Sequence, residues 1–233
     1  MIAVSGGSTL WFLSRATGIV AFVLLTVTVV LGVITSLRWQ TRNIPRFVIE
    51  LVHRNVTALV LVFIALHVTT VVLDGFVPIG WLSVIVPFTS PYRPIWLSLG
   101  TVGLDLLIAV AMTSWLRHRV GFRVWRFLHW SAYASWLFVL IHGLGTGTDT
   151  SQVWALAVEG ACAAAVVVAI WFRIGAQWKE HTPVRAAALV ATVLVPLALA
   201  GWLLVGPLAP HWSQHAAAPT TPPTAAVARA GTP

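Results

Sequence analysis

Apolar runs of twenty or more residues recur along this chain, and they settle its class before any single residue is considered. A helix rises 1.5 Å per residue, so about twenty apolar residues cross a hydrocarbon core of ~30 Å in one pass. Of the 233 residues 58% are hydrophobic and only 9% charged, too little charge to cover a water-soluble surface of that size. The fold class expected is all-α: a polytopic membrane helix bundle of about six transmembrane helices.

Six segments carry that expectation. They run from about Thr9 to Leu37, Phe47 to Leu73, Ile95 to Leu116, Phe122 to Leu144, Val153 to Ile174 and Val184 to Val205. The connection from Asp74 to Pro94 is too apolar for a free loop. Its Trp81, Phe88 and Tyr92 suit the headgroup region. From residue 207 to 233 the chain is rich in Ala, Pro and Thr with almost no charge, and reads as a disordered tail. No cleaved signal is expected, because the first apolar run is too long for an h-region and lacks a basic segment before it. Cys162 lies alone inside an apolar run and reads as a packing residue.

The formal net charge of +8 does not point to nucleic acid. The basic residues sit in the connections between apolar runs, not in a stripe with interleaved aromatics. Arg38, Arg42, Arg46 and Arg54 mark the first connection, and Arg117, Arg119, Arg123 and Arg126 the third. Arg173, Lys179 and Arg185 mark the fifth, so eleven of the fourteen basic residues fall on one side. Arg15, Arg93 and Arg229 fall on the other. By the positive-inside rule the basic loops are cytoplasmic in a multi-pass protein of the cell membrane, and both termini are extracytoplasmic.

Ionisable groups inside a membrane span are costly and usually functional. The second segment holds His53 and His67, fourteen residues apart, and the fourth holds His129 and His142, thirteen apart. Each pair is separated by ~20 Å along its helix. Both helices run in the same direction, so His53 and His129 share one depth and His67 and His142 another. Imidazoles at two matched levels are what two six-coordinate haems need, each iron taking one nitrogen from each helix. The plainer reading is four packing or interhelical hydrogen-bonding residues. Histidines ~20 Å apart on one helix cannot share an ion held by bonds of ~2 Å, so a shared metal ion is the weaker alternative. Fourteen residues return to nearly the same helix face, but thirteen do not. A π-bulge, local bending or haems on different flanks would reconcile the second spacing.

Haem propionates need cations or donors. Arg15, well inside the first segment, is the candidate for the outer level, and Arg54 or Arg126 for the inner one. Asp105, within the third segment, would relay a proton, pair with Arg15 or bond a neighbouring helix, the structural roles being favoured. Glu159 has a similar but weaker case. His118, His181, His211 and His215 read as surface residues. The glycines Gly143, Gly145 and Gly147 follow a membrane helix with no βαβ unit around them, so they are no dinucleotide loop.

From Leu10 to Arg173 the chain resembles the ferric reductase-like transmembrane domain family. That family includes the membrane halves of ferric reductases and NADPH oxidases, and the haem subunit of a bacterial methionine sulfoxide reductase system. The matching features are His53, Arg54 and His67 in the second segment, and Trp125, Arg126, His129, Tyr133 and His142 in the fourth. Ser14 to Gly18 and Thr113 to Arg117 also fit. The resemblance implies two haem b groups, ligated by His53 with His129 and by His67 with His142. On that basis residues 9–206 form a haem domain. Its work would be to move electrons across the membrane as the membrane component of an oxidoreductase system. Unlike the oxidases, the chain continues after Arg173 into a further helix. Its electron donor is therefore expected to be quinone or a separate flavoprotein, with an extracytoplasmic acceptor protein. Two readings come from other classes: a quinol- or sulfoxide-linked enzyme whose catalytic subunit is a separate external protein, and a haem-free membrane scaffold or transporter subunit.

Overall fold

The computed structural model describes residues 6–38, 45–74, 77, 79–147, 149–176, 182–210 and 212. Arg42, His181, His211 and His215, and nearly all of the expected tail, lie outside the described residues. Eight helices follow in order: α1 (Gly6–Ser36), α2 (Arg46–Asp74), α3 (Trp81–Ile85), α4 (Pro94–Trp115), α5 (Arg117–Val120), α6 (Phe122–Thr146), α7 (Val153–Ala176) and α8 (Thr182–Val205). Among the described residues there is no strand. Six helices, α1, α2, α4, α6, α7 and α8, are long and apolar enough to cross a membrane. Lipid offers backbone groups no partners, and a helix satisfies nearly all of its own, so these sequences become uninterrupted helices. The chain is a multi-pass membrane protein.

Two antiparallel pairs organise the bundle. α1 packs along α2 and α4 along α6, and α1 also touches α6 and α7. The core lies where they meet: Phe22, Leu25 and Val29 of α1 against Val60, Leu107, Trp136, Leu140, Cys162 and Val166. Lipid tails are as apolar as leucine, so helices associate through close packing and interhelical hydrogen bonds rather than through burial from water. Both are present. Ser135, fully buried, donates to the Gly103 carbonyl at 2.7 Å, and a methyl group at Gly103 would come within 3.0 Å of Val139. Trp136 donates from Nε1 to Thr26 Oγ1 at 2.9 Å and stacks on Phe22. Trp136→Phe keeps an aromatic ring but removes that donor and part of the buried side chain. It is expected to cost at least about 0.6–1.7 kcal/mol, the range of interhelical hydrogen bonds in membranes, read as a fall in thermal stability in detergent.

Between α2 and α4 the chain forms α3 and folds back on α4. Thr101 donates to the Ser83 carbonyl at 2.7 Å, and the Phe88 amide donates to Ser98 Oγ at 2.6 Å. Trp81 and Phe88 are exposed, as suits an interfacial segment, but Tyr92 turns inward and lines a cavity. Arg93 is buried too and donates to the Gly145 carbonyl at the end of α6. Gly121, at φ +79°, makes the turn from α5 into α6, a conformation that other residues adopt only under strain.

Candidate functional site

The four histidines face the interior, and three are fixed in the same way. On α2, His67 Nδ1 lies 2.7 Å from the Ser14 carbonyl and His53 Nδ1 lies 3.1 Å from the Thr28 carbonyl. On α6, His142 Nδ1 lies 2.9 Å from the Trp96 carbonyl. A carbonyl only accepts, so in each contact Nδ1 carries the proton and donates. Nε2 is then left with its lone pair, the form in which imidazole binds a metal.

Each accepting carbonyl belongs to a helix and is already engaged along it. The side chain four residues on leans back over that carbonyl and would cover it. In all three cases that residue is glycine: Gly18 after Ser14, Gly32 after Thr28, and Gly100 after Trp96. A methyl group would stand 2.9 Å from His67 Nδ1 at Gly18, 3.4 Å from His53 Cε1 at Gly32, and 2.6 Å from His142 Nδ1 at Gly100. Glycine thus opens the carbonyl to a second donor and makes room for the ring.

The histidines come together by level. The rings of His53 and His129 face each other with centroids 6.4 Å apart and planes at 63°. A metal held between two imidazoles by bonds of about 2 Å separates the ring centres by roughly 6 Å, so this spacing suits a shared ion. His67 and His142 line one cavity of about 380 Å³, together with Ser14, Arg15, Gly18, Gly100, Asp149 and Glu159 among other residues. No bulge takes up the thirteen-residue spacing, since α6 is regular helix from Phe122 to Thr146. Instead the two rings leave it on different flanks, His142 against α4 and His129 toward α2. No group of three or more His, Cys, Asp or Glu side chains gathers as a metal cluster among the described residues, so any metal here has to rely on paired histidines.

The expected cations divide. Arg15 lies on the wall of the cavity, over the Trp11 ring at 4.1 Å, and pairs with Asp149 in the connection after α6. Of the three roles open to Asp105, pairing with Arg15 is not formed. Asp105 is exposed on α4, on the side away from the core. Arg54 and Arg126 are exposed at the end of the bundle nearest His53 and His129. Arg173 of α7 was assigned from sequence only to the connection. It reaches into that end, donating to the Tyr133 hydroxyl at 2.7 Å and lying 5.3 Å over the Trp130 ring. His118 is exposed, in keeping with a surface role. Gly143 and Gly145 lie within α6, Gly145 packed against Trp96.

Sequence reasoning missed the three glycines and the three carbonyls. One signal was present: Gly18 and Gly32 are fourteen residues apart, the same interval as His53 and His67 on the helix that packs antiparallel to them. A family model described as ferric reductase like transmembrane component matches residues 17–140, more than half of the chain. Comparison with curated proteins and with solved structures finds no match.

Proposed function

This chain belongs to the ferric reductase-like transmembrane component family, and on that premise we propose that it is a b-type dihaem electron conduit of the cell membrane. The observation that carries the reading is the repeated cradle, in which three intramembrane histidines donate from Nδ1 to a helix carbonyl and so keep the lone pair on Nε2. An interhelical hydrogen bond alone would not call for glycine at the same offset from all three acceptors. Bound haem b would supply a one-electron iron couple at each of the two levels.

The chain's own part is to ligate, orient and shield. His53 with His129 would hold one haem iron, and His67 with His142 the other. Two imidazoles per iron leave no open position, which favours electron transfer over oxygen binding. The carbonyls of Thr28, Ser14 and Trp96 hold the rings against rotation and raise their basicity as ligands. Arg15, steadied by Asp149 and Trp11, would meet a propionate at the level of His67 and His142. Arg54 or Arg126 serves the other level. The core residues between the levels, Val60, Trp136 and Leu140, keep water out.

The basic end faces the cytoplasm. Electrons enter there or from quinone in the bilayer, from a separate flavoprotein or a quinol, and leave to an extracytoplasmic acceptor protein. The test is a pyridine haemochrome assay with a dithionite-reduced minus oxidised spectrum on the purified chain. Two low-spin haem b groups per chain are expected. A colourless protein after expression with haem supplied would sink the reading and leave a haem-free scaffold or transporter subunit.

A further inference from the structure

Three histidines are held by a backbone carbonyl, and the fourth is not. His129 Nδ1 is buried without a hydrogen-bond partner. What surrounds its ring is aromatic and cationic instead. Trp125 lies along it, centroids 5.0 Å apart and planes at 29°. On the same helix Trp130 is the next residue and Tyr133 follows one turn on, and both hold Arg173 of α7. The guanidinium lies 5.3 Å over the Trp130 ring and donates to the Tyr133 hydroxyl at 2.7 Å. Its charge is felt at the His129 ring.

An arginine in this position ordinarily does something else. Arg173 falls in the last turn of α7, at the basic end, where long cationic side chains carry their heads out to water. Arg54, Arg117, Arg123 and Arg126 do so and are exposed. Arg173 is half-buried and turns inward. Among the described residues the ion pairs are Arg15 with Asp149 and Arg46 with Glu50, so Arg173 has only neutral partners. A guanidinium carries five N–H donors, and the Tyr133 hydroxyl takes one of them. A half-buried charge with donors to spare and no counter-charge is completed by an anion.

We propose that Arg173 is the interior cation of the inner level, where its open donors would take a haem propionate and its charge makes that level easier to reduce. This rests on the dihaem reading. A haem has two propionates, so the exposed Arg54 or Arg126 and the interior Arg173 would each have one to meet. Tyr133 and Trp130 are positioning residues that keep the guanidinium beside His129. An electron arriving at an iron is stabilised by a nearby positive charge, and more strongly where water is excluded. The outer level gains less from Arg15, because Asp149 already answers its charge.

The test is a redox titration of the purified full chain, followed by the reduced minus oxidised spectrum. His53→Ala identifies which of the two one-electron steps belongs to the inner level. Arg173→Gln removes the charge and is expected to lower that step alone, by about tenfold in its equilibrium constant, which is about 59 mV for one electron. Arg173→Lys keeps the charge and is expected to lower it by much less. Two bound haems with the inner step unmoved by Arg173→Gln, or with the outer step moved instead, would overturn the proposal. An equal fall in the Lys and Gln variants would also overturn it, because the lost packing on Trp130 and not the charge would then be the cause. Should Arg173→Gln fail to retain haem, Tyr133→Phe takes its place, since it leaves the charge but frees the guanidinium. A smaller fall of the inner step is then expected, and an unmoved step overturns the proposal. Absence of haem from the unsubstituted chain would be a failure of the dihaem reading itself, and the haemochrome assay registers it before any titration begins.

Discussion

His53→Ala and His129→Ala are each expected to lower low-spin haem from two per chain to one, and the two substitutions combined are expected to go no lower. The same holds for His67→Ala with His142→Ala. A cross-level combination such as His53→Ala with His142→Ala is expected to abolish low-spin haem altogether. The argument is one of shared and separate sites. Residues that act on one centre are non-additive, because the first loss leaves nothing for the second to remove, whereas distant centres add. His53 and His129 have ring centroids 6.4 Å apart, and His67 and His142 line a single cavity, while the histidines of one helix stand ~20 Å apart along its axis. The measurement is the low-spin haem spectrum per chain across the four single and these three double variants. A same-level pair that loses both haems, or a cross-level pair that keeps one, would break the assignment of ligands.

The helices were legible because a membrane span is specified by length and composition, which a single sequence displays directly. Each expected segment ends within three residues of a helix boundary in the structure, and Phe122 and Val153 begin α6 and α7 as expected. The four histidines stood out for a related reason: a histidine among valines and leucines is costly in lipid, so its position marks a candidate site. What holds the histidines was less visible. The acceptors are backbone carbonyls, which every residue has, so nothing in the letters Ser14, Thr28 or Trp96 marks them. A helical glycine is ordinarily read as a conformational cost, yet here it is a gap for an imidazole, which requires knowing the neighbouring helix. The segment Ser14 to Gly18 held both an acceptor and its glycine, and was noticed only as a likeness. The depth of Arg15 in its span was legible, but nothing in the sequence selected its partner. Asp105 lies within a span and Asp149 in a connection, and only the packing of α1 against the end of α6 selects Asp149. The thirteen-residue interval in α6 raised a real difficulty on the assumption that both rings share a flank. The structure drops that assumption and keeps the helix regular.

Substituting the cradle glycines with alanine is expected to weaken haem retention in a graded order set by distance alone. At Gly100 a methyl group would stand 2.6, 2.7 and 2.9 Å from Nδ1, Cε1 and Cγ of His142, so the whole ring has to move and its bond to the Trp96 carbonyl is lost. At Gly18 two atoms of the His67 ring would stand 2.9 and 3.0 Å away, so a smaller displacement suffices. At Gly32 the nearest atom, His53 Cε1, would be 3.4 Å away, at the edge of ordinary contact. Gly160 of α7 has nothing within 4 Å and serves as the comparison. Loss of an outer-shell hydrogen bond to a metal-bound histidine costs roughly 10–100-fold in affinity. That range is expected for Gly100→Ala at the level of His67 and His142, with less for Gly18→Ala, little for Gly32→Ala and none for Gly160→Ala. Haem transfer to an excess of a soluble haem-binding protein reads the order directly. Helix propensity works in the opposite sense, since alanine stabilises an isolated helix by up to about 1 kcal/mol over glycine. Weaker haem retention in a chain whose helices are intrinsically strengthened would therefore locate the damage at the ring and its carbonyl. Equal retention across all four variants would mean that the rings are held by something other than the cradle.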